Sequence, residues 1–189
     1  MGSADHRLVQ RVLRGDRAAG ESLARCYHVD LFNLFVWLTH DAELAQNLTQ
    51  DTFVRIWERL PQFRGESGLR SWVHAVAFSV LALHRRDASR ETRALAEYAE
   101  RSARREAQGR PETRMALADA LSRLSDDERR AVVLCKLQGF TLKDAAAILG
   151  QPAGTVAWRV AEGLKKMRAV LADDPAAERS PQPGKPVGG

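Results

Sequence analysis

The sequence predicts an all-α protein built from two small helical domains that are joined by a flexible linker. Apolar residues recur at spacings of three and four along most of the chain. Sustained alternation with a period of two is absent, and clusters of β-branched residues are scarce. Between the two periodic stretches, residues 88–112 are rich in Arg, Glu and Ala, which is typical of a solvated, partly helical linker.

The first predicted domain, residues 1–87, is a unit of four helices. Gly15 ends the first helix, Asp16 and Asp41 can cap the second and third, and Pro61 stops the third. The loop 62–68 leads into the fourth helix. The residues expected in the shared core are Leu8, Val9, Val12, Leu13, Leu23, Tyr27, Leu31, Leu34, Phe35, Leu38, Leu44, Leu48, Thr52, Ile56, Leu60, Leu69, Trp72, Val73, Val76, Val80 and Leu83.

The second predicted domain, residues 113–172, contains a helix, a capped helix and a helix-turn-helix. Ser125 and Glu128 form a capping-box pattern, Gly139 ends that helix, and Thr141 caps the next one. The predicted core residues are Leu117, Leu121, Leu124, Val132, Val133, Leu134, Leu137, Val156, Val160, Leu164 and Met167. Residues 173–189 hold four of the seven prolines and are predicted to be disordered.

Composition argues against several classes of protein. No apolar stretch reaches the roughly 18 residues of a membrane span. Cys26 and Cys135 form no CxxC pair, and the five histidines show no metal-ligand spacing. Catalytic patterns such as GxGxxG, a Walker loop or HExxH are also missing. We therefore expect a cytoplasmic protein that is not an enzyme, with no cofactor, no metal and no membrane insertion.

The basic charge is concentrated in the second domain. The chain carries 29 basic and 24 acidic residues, a net +5. Residues 113–172 hold 10 of the basic and 6 of the acidic ones, a local net of +4. A local basic excess attracts nucleic acid through counterion release, although a solvated helix face can carry as much charge.

Residues 141–166 have the pattern of a helix-turn-helix. Ala145 and Ala146 are small enough for two helices to cross, Gly150 permits a positive φ at the turn, and Val156 can anchor the second helix. That helix would present its N-terminal half to the major groove. The residues predicted to face the DNA are Thr155, Ala157, Trp158, Arg159, Glu162, Lys165 and Lys166. A plain helical hairpin with a solvated basic face is the alternative, and Trp158 could contact DNA or pack against a protein.

Both domains together resemble the extracytoplasmic-function (group IV) sigma factors of bacterial RNA polymerase. The second domain resembles region 4 and the first resembles region 2, in the family's order and over about 140 of the 189 residues. The stretches that carry this resemblance are 30–32, 48–57, 63–72, 121–125, 131–134, 145–150 and 154–156.

The resemblance implies a division of labour between the domains. Region 2 of the family binds core RNA polymerase and opens the −10 promoter element, and region 4 reads the −35 element. The residues implied for polymerase binding are Leu48, Gln50, Asp51, Phe53, Arg55 and Trp57. Those implied for −10 DNA are Phe63, Arg64, Gly65, Ser67, Ser79, His84, Arg85 and Arg86. Trp57 could instead be a core residue, in which case it would not bind polymerase. The family also commonly meets an anti-sigma factor.

An alternative function arises from the fourth helix. Ala75 and Phe78 stand where the family commonly has Arg, which weakens the basic face expected to meet the non-template strand. The main prediction is an alternative sigma factor that binds core polymerase, recognises the −35 and −10 elements and promotes DNA opening. The alternative is a sigma-fold interaction protein or regulator that has lost independent promoter melting.

Overall fold

A computed structural model of the chain describes residues 2–95 and 112–172, which are helical and contain no strand. The all-α prediction is confirmed. We call residues 2–95 the first unit and residues 112–172 the second unit. The predicted disordered tail and the part of the predicted linker from residue 96 to 111 lie outside the described residues.

Four helices make the first unit. Asp16 accepts a hydrogen bond from Ala19 N at 3.0 Å, and Asp41 accepts one from Leu44 N at 2.9 Å, so both predicted caps are present. A short 3₁₀ turn over Leu60–Gln62 follows the third helix at Pro61. The helices are α1 (Gly2–Leu13), α2 (Arg17–Thr39), α3 (Ala42–Arg59) and α4 (Leu69–Leu95).

The core of the first unit lies between α2, α3 and α4. The predicted i+4 series is buried from Leu48 to Leu60, and Leu44 at its start is half-buried. The Thr52 hydroxyl donates to Leu48 O at 2.6 Å, so this polar group is satisfied inside the core. Two core predictions were wrong, because Leu13 and Leu83 are exposed. Leu13 is the last residue of α1, and Leu83 lies on the rim of a groove between α3 and α4.

A residue of α1 caps the start of α4. The side chain of Asp5 accepts a hydrogen bond from Leu69 N at 3.0 Å, across 64 positions of sequence. The first N–H groups of a helix have no partner within the helix, and a carboxylate also favours the positive end of the helix dipole. Asp5 therefore fixes α1 against the entry of α4.

The second unit also has four helices. Its capping box is confirmed, because Glu128 N donates to Ser125 Oγ and Ser125 N donates to Glu128. A π-helical turn over Val133–Leu137 ends at Gly139, whose φ is +70°. Leu137 is exposed, so its predicted place in the core was wrong. The helices are α5 (Glu112–Ser122), α6 (Asp126–Val132), α7 (Leu142–Leu149) and α8 (Ala153–Ala172).

The predicted helix-turn-helix consists of α7 and α8. Thr141 caps α7, and Gly150 ends it with φ +62°, a left-handed conformation that favours glycine. Gly163 lets α8 approach α6, because a Cβ built there would lie 2.7 Å from Val132 Cγ2. The two units also contact each other, mainly through α4 and the segment that leads into α7.

Candidate nucleic-acid and protein interfaces

One face of α8 carries six of the seven residues predicted to read DNA. At about 100° per residue, these six share one side of the helix. They are Thr155, Trp158, Arg159, Glu162, Lys165 and Lys166. Ala157 lies away from this face, so a contact from Ala157 to the same groove is not compatible with the helix geometry. Trp158 is 61% exposed, which rules out a place in the core.

Ion pairs within the second unit hold two of these basic side chains. Arg159 Nη2 lies 2.7 Å from Asp127 Oδ2, and the same guanidinium donates to Gln151 Oε1. Lys166 Nζ lies 2.7 and 2.9 Å from the two carboxylate oxygens of Glu128. Lys165 is exposed. Lys165 is therefore better available than Lys166 to contact a phosphate.

A strip of exposed residues runs along α3. Trp57 is 40% exposed. Its ring lies 3.8 Å from the position that a Cβ on Gly20 would occupy, so one edge of the ring packs against α2 while the rest faces solvent. Phe53 is half-buried and stacks parallel to His28, with ring centroids 6.3 Å apart. Gln50 and Asp51 are exposed beside them.

The structure places one residue predicted to bind polymerase in the core, and it exposes an apolar residue that was not predicted. Leu48 is 1% exposed, so its side chain belongs to the core and cannot meet a partner. Val54 is 58% exposed on the same strip as Gln50 and Trp57. Sequence reasoning missed Val54 because the i+4 series predicted only the buried face of α3. The available signal was an apolar residue outside the i+4 series, four positions after Gln50 and three before Trp57.

The loop predicted to contact −10 DNA offers polar groups only. Phe63 is 7% exposed and packs edge-to-face on Trp72, with ring centroids 5.5 Å apart. A base could stack on Phe63 only if this ring pair separated. The prediction that Phe63 contacts −10 DNA is therefore wrong for this arrangement of the loop. Arg64, Gly65 and Ser67 are exposed, and Gly65 has φ +75°.

The four −10 candidates on α4 point in three directions. Ser79 and Arg86 are two turns apart and share the exposed side of the helix. His84 lines a groove of about 300 Å³ between α3 and α4. Arg85 faces the second unit and pairs with Asp126. Phe78, which stands where the family commonly has Arg, is buried.

The groove between α3 and α4 brings two predicted sites together. Its walls include Asp51 and Arg55, which were predicted to bind polymerase, and His84, which was predicted to bind DNA. Arg55 is held by Glu58 at 3.0 Å. The full lining is Asp51, Val54, Arg55, Glu58, Val80, Leu83, His84 and Asp87.

A cluster that no sequence pattern predicted joins the two units. The Arg70 guanidinium carbon lies 4.2 Å from the centre of the Phe140 ring. Arg70 Nη2 also donates to Gln138 O at 2.7 Å and to Gln138 Oε1 at 3.1 Å. Asp30 pairs with Arg70 at 3.4 Å and accepts from Gln138 Nε2 through its backbone oxygen. The cluster therefore combines a cation–π contact with charge-assisted hydrogen bonds.

His74 lies at the centre of this cluster and is fully buried. Its ring meets Phe140 edge-on at 4.7 Å, and its Nδ1 donates to Arg70 O at 2.9 Å. Burial lowers the pKa of His74, and this effect outweighs the opposing influences of the Arg70 carbonyl and the Asp30 carboxylate. The neutral imidazole is therefore the form that fits between the units.

Metal sites and membrane spans are both absent from the part of the chain that the structure describes. Among residues 2–95 and 112–172, no His, Cys, Asp and Glu side chains are grouped in a way that could hold a metal ion. Within those ranges, no helix combines the length and the apolar character that a membrane crossing requires.

Family models match both units. Sigma-70 region 2 matches residues 23–91, and Sigma-70, region 4 matches residues 114–167. These ranges contain the exposed strip of α3, most of the fourth helix, all of α7, and α8 as far as residue 167.

Curated relatives and solved structures agree with this assignment. The chain is 30% identical over 169 residues to RNA polymerase sigma-H factor of Pseudomonas aeruginosa, covering 82% of this chain and 88% of that protein. It is 32% identical over 163 residues to ECF RNA polymerase sigma factor SigC of Mycobacterium tuberculosis, covering 85% of each. The sigma factor RpoE of Bartonella quintana, solved in complex with the anti-sigma factor NepR, matches with a TM-score of 0.71 and 26% identity over 82% of this chain and 97% of that one.

Proposed function

The chain belongs to the ECF sigma factors of RNA polymerase, and we propose that it binds core polymerase, recognises the −35 and −10 promoter elements and promotes DNA opening. An ECF sigma factor is an alternative sigma factor that acts in transcription initiation and does no covalent chemistry of its own. The promoter contacts are a proposal, and the exposed face of α8 is the observation that supports them most strongly.

The exposed face of α8 supports reading of the −35 element. A recognition helix enters the major groove with its N-terminal half, which in α8 carries Thr155 and Trp158. The exposed Lys165 lies further along the same face. Arg159 is held in one orientation by Asp127, so its remaining donors are preorganised. Glu162 lies on the same face and can accept from a cytosine N4.

The strip on α3 supports binding to polymerase. An aromatic anchor rimmed by polar groups suits a protein interface, and Trp57, Phe53 and Val54 provide the apolar part. Asp51 and Glu58 give the strip an acidic edge, which complements a basic partner.

For the −10 element we propose a smaller set of contacts than the sequence predicted. Arg64, Ser67, Ser79 and Arg86 are exposed, whereas Phe63 is buried and Arg85 is paired with Asp126. This reduced set favours the alternative function, in which the protein binds partners without melting a promoter by itself. An anti-sigma partner is also proposed, since the similar RpoE was solved with one.

A run-off transcription assay tests the proposal. Purified full-length chain is added to bacterial core polymerase on a pool of genomic promoter fragments, and the bound and transcribed fragments are sequenced. We expect chain-dependent transcripts that share two elements. Association with core polymerase without any transcript would favour the alternative, and failure to associate at any salt concentration would contradict both.

A further inference from the structure

The excess basic charge of the first unit lies at its start, on α1 and the turn that follows it. Residues 1–17 hold four basic and two acidic residues, whereas residues 18–87 hold seven basic and eight acidic ones. The match to Sigma-70 region 2 begins at residue 23, so this basic segment lies outside the range that the family model covers. The family match therefore assigns no role to the segment.

Three arginines of this segment share one face of α1, and we call them the arginine stripe. At about 100° per residue, Arg7, Arg11 and Arg14 point within about 60° of one another. All three are exposed. Arg14 N donates to Gln10 O at 3.1 Å, so the helical course continues as far as Arg14. Val9, on the opposite side of α1, is buried. One side of α1 is therefore fixed to the core, and the other presents guanidinium groups to solvent.

The acidic residues of the segment do not neutralise the whole stripe. The side chain of Asp5 is engaged at the start of α4, and Asp16 pairs with Arg11 at 2.7 Å. Among the residues that the structure describes, neither Arg7 nor Arg14 forms an ion pair with a carboxylate. Two of the three guanidinium groups are therefore available to an external anion.

The arginine stripe is attached to the loop that is proposed to contact −10 DNA. α1 packs against the 3₁₀ turn Leu60–Gln62, which precedes this loop. Asp5 of α1 accepts from the backbone N–H of Leu69, which follows it. Between these two points the loop exposes Arg64 and Ser67. The attachment gives the stripe a fixed position next to the proposed −10 contacts.

A phosphate backbone fits the arginine stripe in charge and in spacing. From Arg7 to Arg14 the helix rises roughly 10 Å at 1.5 Å per residue. One strand of DNA carries about three phosphates over that length, at ~3.4 Å each. Guanidinium groups bind phosphate through two parallel hydrogen bonds. A basic helix can also lie on an anionic bilayer, but it would need the apolar side of α1 for that, and Val9 on this side is buried in the core.

We propose that Arg7, Arg11 and Arg14 bind the phosphate backbone of DNA next to the −10 loop, and that this contact provides basic charge which α4 lacks. On α4, Ala75 and Phe78 stand where the family commonly has arginine. A backbone contact adds affinity and positions the duplex but carries no base preference. That the DNA is a promoter rests on the proposed function, whereas the affinity of the stripe for a DNA backbone does not.

The test uses the double variant Arg7→Ala with Arg14→Ala in the full-length chain. It keeps Arg11 and its ion pair, and circular dichroism establishes that the helical content is that of the wild type. The matched control is Arg25→Ala with Arg123→Ala. It removes the same charge from exposed positions of α2 and α5, outside every proposed DNA or polymerase contact.

The first measurement needs no promoter. Fluorescence anisotropy follows binding of the chain to a labelled duplex of mixed sequence and about 30 base pairs, between about 50 and 200 mM salt. The slope of log affinity against log salt should become shallower by about 1–2 in the double variant, because each lost phosphate contact removes ~0.9. The control should keep the wild-type slope. Equal slopes in the two variants, or a wild type that does not bind the duplex at the lowest salt, would overturn the proposal.

Vesicles test the bilayer as the alternative occupant. They contain phosphatidylcholine with about one third phosphatidylglycerol, and binding is measured by co-sedimentation. We expect the wild type and the double variant to stay in the supernatant alike. Vesicle binding that the double variant loses, with duplex binding unchanged, would assign the stripe to a membrane and overturn the proposal.

The promoter part is tested with bacterial core polymerase on the fragments that the run-off assay recovers. In a heparin challenge, complexes of the double variant should dissociate about threefold to tenfold faster than those of the control. The recovered sequences should not change, because a phosphate contact carries no sequence information. Dissociation at the wild-type rate would overturn the role of the stripe at promoters. A shallower slope on the mixed duplex, with no transcript from any form, would support backbone binding and contradict the proposed function.

Discussion

Lys166 on α8 forms a two-pronged ion pair with Glu128 on α6, its Nζ lying 2.7 and 2.9 Å from the two carboxylate oxygens. Glu128 is buried, and it also accepts from Ser125 N in the capping box. One carboxylate therefore closes the start of α6 and anchors the recognition helix to it. The Lys166 hydrogen bond and the Ser125 hydrogen bonds lower the pKa of Glu128.

Replacing Glu128 should destabilise the second unit. Glu128→Gln keeps the size of the side chain but loses the charge that Lys166 and the helix start favour. We expect the free energy of unfolding at pH 7 to fall by about 1–3 kcal/mol, measured by urea denaturation. Asp119→Asn, at an exposed position on α5, should change it by less than about 0.5 kcal/mol. An unchanged midpoint for Glu128→Gln would contradict the role of the pair.

The same variant should change how stability depends on pH. Because the pKa of Glu128 is lower in the folded protein than its ordinary value of 4.5, the unfolded chain binds more protons in acid. The contribution of Glu128 is therefore complete above pH 4.5 and is lost as pH falls through the lower, folded value. The difference between wild type and Glu128→Gln should shrink when unfolding is measured below pH 4.5. A difference that stays constant would show that the charge is not responsible.

Replacing Asp5 should lower the stability of the fold more than its position near the N-terminus indicates. Its side chain caps α4 by accepting from Leu69 N, so Asp5→Ala leaves that N–H without its partner. Loss of a cap costs about 1 kcal/mol. Thermal denaturation should show a loss similar to that of Asp41→Ala, the local cap of α3. Hydrogen exchange should also rise in α1, because α1 loses its link to α4; exchange that rises nowhere in α1 would contradict this coupling.

Contacts within one helix turn could be predicted from the sequence, whereas contacts between distant positions could not. Caps such as Asp16, Asp41 and Ser125 were predictable because each acts within its own helix turn. The Asp5–Leu69 bond and the Arg70–Gln138 contact span more than 60 positions, and no periodic pattern encodes them. Phe63 was misassigned for a related reason: the resemblance implied a contact with −10 DNA, but the ring packs on Trp72, which comes from the next helix.

Substitutions of Arg85 and Arg86 should reduce promoter opening to different extents, although the two residues are adjacent. Arg86 is exposed on the side of α4 that carries Ser79, whereas Arg85 is paired with Asp126. With polymerase present, Arg86→Ala should reduce promoter opening at least about tenfold, because a phosphate contact is lost where the strands separate. Permanganate reactivity of unpaired thymines measures this. Core binding should stay at the wild-type level.

Arg85→Ala serves as the comparison within the same turn of helix. In the structure the Arg85 guanidinium is held by Asp126 and is less available to a phosphate than that of Arg86. We therefore expect a smaller reduction in opening than for Arg86→Ala. Equal reductions would mean that the pair with Asp126 has no influence on how Arg85 is used.

Trp158 offers the sharpest test of the proposed −35 face. Its side chain is 61% exposed, so Trp158→Ala removes little buried area and should change the free energy of unfolding by less than about 0.5 kcal/mol. If the indole contacts a thymine methyl or a sugar, selection of bound duplexes from a random pool should show a changed base preference at one or two positions.

Lys165→Ala is the matched control on the same face. A phosphate contact carries no sequence information, so this variant should weaken binding to all duplexes alike and reduce its salt dependence. An unchanged preference for Trp158→Ala, with weaker binding to core polymerase, would instead assign Trp158 to a protein interface.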